Sequence, residues 1–363
     1  MIYALYLTET LLYGCFSLLM GTFIMQLIPS SKKPSIHIHK RWLQFSILGI
    51  ILFSLMPVVN LIFMLYKDTG FSLRVQDVFL SFKVGKAWII TFIISVFFYL
   101  FVSIFPVLKN KGYSMISIVF LIFLIFTIGW ASHPASLTAW TGFVYHSIHY
   151  TAVSVWVGIL ILVSWFSKNH ENWLAFLKWF TPTAIICLGL TILSGFMIMT
   201  IIVEAKDYAN AWMLNYGQAL LIKHVIVLPI LIFAFINGFW IKKHLQQGSS
   251  FNPRTWTKAE SILLLLIFTV TAFLGQQEPP NEIEMMVKDS GISPLFHFIY
   301  GTIPPSLPVH FELNFLNLSF SCLSAVFLIL VLWSFIKKIP AASLFLSLFL
   351  IISIYLSLMF SIQ

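Results

Sequence analysis

Residues 132–164 read SHPASLTAWTGFVYHSIHYTAVSVWVGILILVS, with no Asp, Glu, Lys or Arg. A predominantly apolar run of this length is a membrane-spanning helix, because only a helix satisfies its own backbone in lipid over such a distance. Three histidines lie in it or just ahead of it. His146 and His149 are three residues apart and share one helix face. Trp156 follows His149 by about two turns on that face, and Gly158 lets a neighbouring helix approach closely. His133 ends the preceding apolar run. Three imidazoles at one membrane depth form a candidate site for a soft or borderline metal ion, or for an iron porphyrin. The competing reading makes each ring a polar rivet between helices. Ionisable groups inside a membrane are functional candidates by default, so both readings are carried forward.

The rest of the chain agrees with the class. Of 363 residues, 60% are hydrophobic and only 9% charged, which excludes a soluble fold and predicts an all-α, polytopic transmembrane bundle. The net charge of +9 does not point to nucleic acid, since the basic residues fall in short clusters between apolar runs. Cys15, Cys187 and Cys322 are widely separated and form no CxxC, so neither a disulfide framework nor a zinc ribbon is expected. The first apolar run has no Lys or Arg before it and no small-residue cleavage site, so it is expected to stay in the mature protein. Ten spans are predicted, near 2–29, 42–66, 86–107, 114–132, 140–167, 174–203, 216–241, 258–276, 313–336 and 340–361. The last two are joined only by Lys337-Lys338-Ile339-Pro340 and form a tight hairpin, 313–363. They follow an acidic stretch, 281–312, and a bundle, 1–280.

Alternate loops carry 14 of the 21 basic residues, including Lys32, Lys33, Lys40, Arg41, Lys109, Lys111, Lys168, Lys178, Arg254, Lys337 and Lys338. The positive-inside rule puts those loops in the cytoplasm and both termini outside. His133 is then at the outer surface, with His146 and His149 in the outer half of the fifth span. At about 1.5 Å per residue, Glu9, Met197, Met199, Lys223 and His224 fall at a similar depth and extend a polar layer. Each has a plainer role. Glu9 is protonated or paired with Lys223, the methionines are filler, and at most one of them faces a site. His37 and His39 belong to a solvated basic loop. Ser194-Gly195 and Asn237-Gly238 are close-packing points. The outer loop, with Glu278, Glu282, Glu284, Asp289 and Glu312, either gathers cations or simply covers the bundle.

Four ordered stretches carry a resemblance to a known family. They are Val84-Gly85-Lys86-Ala87-Trp88; Ser132-His133-Pro134-Ala135; His149 with Trp156-Val157-Gly158; and the run from Thr191-Ile192-Leu193-Ser194-Gly195 through Tyr216-Gly217 and Leu220 to Lys223 and Asn237. With Thr271 to Pro280 they resemble the copper resistance D (CopD) family of bacterial membrane proteins over roughly 84–280. This sequence departs from the family pattern at Ser132, Pro134, His146 and Ile159. The resemblance implies copper handling at the bacterial cytoplasmic membrane, with uptake the usual proposal; imidazole suits copper, and the outer position of His149, His133 and His146 makes them the expected ligands for capture from outside. No copper-binding β-domain is fused, so a delivery partner would be a separate extracytoplasmic protein. No GxxxxGK[ST] or DKTG sequence is present, so transport would be passive or ion-coupled, and no enzyme activity is expected. The rival classes are a haem-binding electron carrier, which an absorption spectrum would reveal, and a copper metallochaperone for oxidase assembly.

The orientation is open to a direct test. Cysteine placed at Ser290 is expected to react with an impermeant thiol reagent in intact cells, and cysteine at Gly248 is not. The reverse pattern would move the histidine layer to the inner half.

Overall fold

The structure is a computed structural model that describes residues 1–65, 71–247, 252–280, 282–301 and 308–362. Lys67, Asp68, Gly248, Asn281 and residues 302–307 of the acidic stretch lie outside the described residues, as does the side chain of Ser290. Helices form 82% of the described residues. In order they are α1 (Ile2–Leu27), α2 (Lys40–Leu65), α3 (Phe71–Leu80), α4 (Lys83–Ile104), α5 (Lys111–Trp130), α6 (His133–Leu137), α7 (Ala139–Trp165) and α8 (Trp173–Ile202). There follow α9 (Asn215–Phe235), a π turn (Ile236–Trp240), α10 (Ile241–Gln246), α11 (Arg254–Leu274), α12 (Ile283–Ser290), α13 (Pro294–Tyr300), α14 (Phe315–Ile336) and α15 (Pro340–Met359).

Among the described residues, 10 helices are long and apolar enough to cross a membrane, and they coincide with the ten predicted runs. Local chemistry sets their ends. Asn110 caps α5 by accepting from the Gly112 N–H at 2.8 Å, Asn314 caps α14 in the same way, and Pro340 opens α15. The acidic stretch expected as a loop contains the short helices α12 and α13.

The chain divides into two compact units: 1–201 with 242–254, and 202–241 with 255–363. In the first, α1 is the central helix and packs against α2, α5 and α7. Phe16, Leu19 and Phe23 of α1 join Ile47 of α2, Phe98 of α4, Leu124 of α5 and Tyr150 of α7 in one buried cluster. The α1–α7 crossing is made by glycine. A Cβ on Gly158 would lie 2.0 Å from the Ser17 carbonyl oxygen, and one on Gly21 would lie 2.2 Å from the Gly158 backbone. Two backbones in van der Waals contact are the small-residue solution to packing in lipid, where dispersion and not water exclusion holds helices together. Trp88 ties α4 to α2 by donating to the Ile51 carbonyl at 3.1 Å, and Thr91 bonds Thr127 at 2.7 Å between α4 and α5.

Several basic loops of this unit meet on one face. His37 N–H donates to the Phe166 carbonyl at 2.9 Å, Lys168 N–H to Ser35 at 2.8 Å, and the Trp179 indole to the Lys32 carbonyl at 2.8 Å. Arg254 donates to the Lys168 carbonyl. The Lys33 ammonium donates to the Met25 carbonyl, and burial together with the nearby Lys111 charge holds its pKa below the usual lysine range. Segments assigned to one side of the membrane by their charge are thus in physical contact.

In the second unit α14 and α15 form the expected hairpin, turned at Lys338 with φ 60°. α15 packs on α9 through a polar link: the Tyr355 hydroxyl donates to Gln218 Oε1 at 2.5 Å, while Gln218 Nε2 donates to the Trp212 carbonyl. Tyr300 of α13 donates to the carbonyls of Met359 and Ile362, which anchors the acidic stretch to the end of α15.

The α1–α7 crossing gives a prediction with an internal control. Gly158→Ala is expected to cost about 1–3 kcal/mol of stability, because the new methyl meets backbone that must shift. Gly14→Ala, whose Cβ would meet nothing within 4 Å, is expected to be neutral. Thermal unfolding of the two purified variants in detergent checks this, and equal melting temperatures would refute the close crossing.

Candidate functional site

α7 is the most enclosed of the spans. With Gly158 turned toward α1, the direction of every other α7 side chain follows from 3.6 residues per turn. His149 is nine residues away, about two and a half turns, and so points to the opposite side of the helix. That side meets α8. His149 Nδ1 lies 3.0 Å from the Thr191 carbonyl oxygen and 3.2 Å from Ser194 Oγ, and a Cβ on Gly195 would lie 3.2 Å from His149 Cε1. The Ser194-Gly195 pair is therefore a notch for an imidazole, with glycine giving the ring room and serine a polar edge. A carbonyl can only accept, so Nδ1 carries the proton, and in the neutral ring the lone pair is on Nε2. Ser194 Oγ donates its own proton to the Leu190 carbonyl, which leaves its lone pairs for the histidine.

His146 takes the other flank. Its ring centroid is 6.0 Å from that of Tyr150, which packs at 5.5 Å on Tyr13 and 5.2 Å on Phe16 of α1. Glu9 lies one turn before Tyr13 and is within electrostatic reach of Tyr13 and Tyr150. The Tyr150 hydroxyl is buried and makes no hydrogen bond among the described residues, an exception that in native proteins calls for an explanation. His133 is exposed and opens α6, which folds back on the first turns of α7: a Cβ on Gly142 would lie 2.0 Å from the Pro134 carbonyl oxygen. Gly142 is one turn before His146 and about two turns before His149. The three histidines thus form successive levels along α7.

The levels do not close into one cage. Among the described residues, no group of three or more His, Cys, Asp or Glu side chains is placed to hold a metal ion. Met197 and Met199 are half-buried near the end of α8, and Met197 shares the Ser194 face by spacing. Trp156 is 5% exposed and is part of the core. Lys223 and His224 belong to the second unit, where His224 Nδ1 lies 2.7 Å from the Tyr208 hydroxyl.

Tyr13 and Tyr150 were not singled out by sequence reasoning, and Thr191 and Asn237 were noted as motif positions, Asn237 also as a packing residue, without a site role. Asn237 donates through Nδ2 to Glu260 Oε2 at 2.6 Å, a buried pair between the π turn and α11. Glu260 went unnoticed although a carboxylate entering the run Ala259–Phe268 was the signal available.

Residues 174–274 match the model of a family described as Copper resistance protein D (CopD). The match covers a little over a quarter of the chain, α8 to α11, and shows a partial resemblance to that family. It contains Thr191, Ser194, Gly195, Lys223, His224, Asn237 and Glu260, and begins after His133, His146 and His149. No curated protein and no solved structure matches the chain.

The α7–α8 notch predicts a measurable loss. In His149→Ala the affinity of the purified protein for copper is expected to fall about tenfold or more, with the fold retained. Wild-type affinity in this variant, measured by competition with a chelator, would remove His149 from the site.

Proposed function

We propose that this chain handles copper at the bacterial cytoplasmic membrane and takes the ion inward along the α7 histidines, copper being its cargo. The observation that carries this reading is the His149 hydrogen bond. An imidazole whose Nδ1–H is fixed on a backbone carbonyl is oriented and made more basic at Nε2, as metal-ligating histidines are. Imidazole with a thioether from Met197 suits copper better than it suits a hard cation. The CopD match on α8 supports the same cargo, because α8 supplies the notch in which His149 sits.

Separate levels at His133, His146 and His149 suit an ion that has to move on. A complete cage would hold it, whereas few ligands at each level let it pass from one to the next. The direction rests on the expected orientation. His133 is then at the outer surface, the exposed Glu282, Glu284 and Asp289 gather cations on that side, and the basic loops repel cations on the other. A separate extracytoplasmic copper-binding protein would load His133.

Copper accumulation in vesicles or cells, compared with His149→Ala at equal expression, tests this. The variant is expected to lose most of the protein-dependent uptake. Equal lumenal copper with unequal loading of an oxidase would replace the importer by an assembly factor.

A further inference from the structure

Glu260 lies six residues into α11, roughly 9 Å from Arg254, and is 2% exposed. Its Oε2 accepts from Asn237 Nδ2 at 2.6 Å, and the same NH2 lies 3.4 Å from the Trp256 carbonyl. Asn237 is 5% exposed, and its Oδ1 is buried and makes no hydrogen bond among the described residues. It stands in the π turn Ile236–Trp240, an irregularity that interrupts the span from Asn215 to Gln246 and is often found at functional positions. Trp256 packs beside Phe233 and, edge-on, Phe335, and Phe335 packs beside Trp240, so the surroundings are aromatic.

The pair is incomplete as it stands. Among the described residues the Glu260 carboxylate accepts from one neutral donor, and the amide oxygen of that donor's own side chain from none. One positive particle completes both. A hard metal cation needs about six oxygens, whereas the hydrogen-bonded set seen among the described residues is Glu260, Asn237 and the Trp256 carbonyl. A proton needs only two. When Glu260 is ionised the Asn237 NH2 faces it, as observed; when Glu260 is protonated its O–H donates to Asn237 Oδ1 after the amide turns over. Each protonation state has its own amide orientation. We propose that Glu260, with Asn237 as its partner, is a proton-exchange site in the second unit that serves as the coupling-ion site of the transport cycle.

The site is argued from its own geometry, and only its place in the cycle rests on the copper reading. The charged groups of the second unit on the elements around it are Lys258 on α11 and Lys337 after α14, whose ammonium lies over the Trp333 ring. Burial and the Asn237 hydrogen bond are the interactions that act on the carboxyl.

Infrared difference spectra of the purified, copper-free protein between acid and alkaline buffer test the site. Wild type is expected to show the carbonyl stretch of a buried carboxylic acid that disappears in alkali. Glu260→Gln is expected to lack that band and Asn237→Ser to shift it, so the second variant serves if the first does not fold. A band that persists in Glu260→Gln, no such band in wild type, or a spectrum that responds to sodium at fixed pH and not to pH itself, would overturn the proposal. In vesicles, a pH gradient is expected to change copper uptake by wild type and not by Glu260→Gln. Uptake that responds equally in both would remove Glu260 from coupling. Loss of uptake in wild type would instead defeat the copper reading and leave the infrared result standing.

Discussion

The backbone contact between Gly21 and Gly158 is the constraint on which the first unit depends. In lipid there is no water to drive two helices together, so association needs many close atom contacts, and those are available only where no side chain intervenes. Fixing Gly158 against α1 fixes the rotation of α7 about its axis. Tyr150 is then held between Tyr13 and Phe16 of α1, and His149, half a turn out of phase, is delivered to α8. The same contact that packs the helix therefore decides which neighbour each histidine meets. One pair of glycines links sequence, packing and site chemistry.

This division explains why the rivet and ligand readings of His149 are not exclusive. The Thr191 carbonyl satisfies Nδ1–H, which removes the cost of burying that donor and joins α7 to α8. It also sets the tautomer, which places the lone pair on Nε2. His146, on the Tyr150 side, is shaped by a different neighbour. Two histidines three residues apart on one helix thus have unlike surroundings.

The positions of the ten spans were legible in the sequence because the length of an apolar run is a local property read directly by lipid. Gly158 as a crossing point and the Lys337–Pro340 hairpin turn were legible for similar reasons, since a missing side chain and a turn proline act where they stand. The identity of neighbours was not. Nothing in the order of residues says that Thr191 and Ser194 face His149, or that Asn237 faces Glu260, because partners on different helices depend on how the helices rotate. The helices α12 and α13 were also missed, since a short polar segment with Pro294 and Gly291 at its borders reads as loop until a partner holds it. Tyr300, bonded to the carbonyls of Met359 at the end of α15 and of Ile362 just beyond it, supplies that hold.

The central proposal is that an α7 imidazole, held by α8, coordinates the cargo. X-ray absorption at the copper edge of the loaded, purified protein tests it most directly, because imidazole rings give an outer-shell scattering pattern that sulfur and carboxylate ligands do not. The account predicts imidazole scattering in wild type that is reduced in His149→Ala. Sulfur-only scattering, or an identical spectrum in the two proteins, would contradict it.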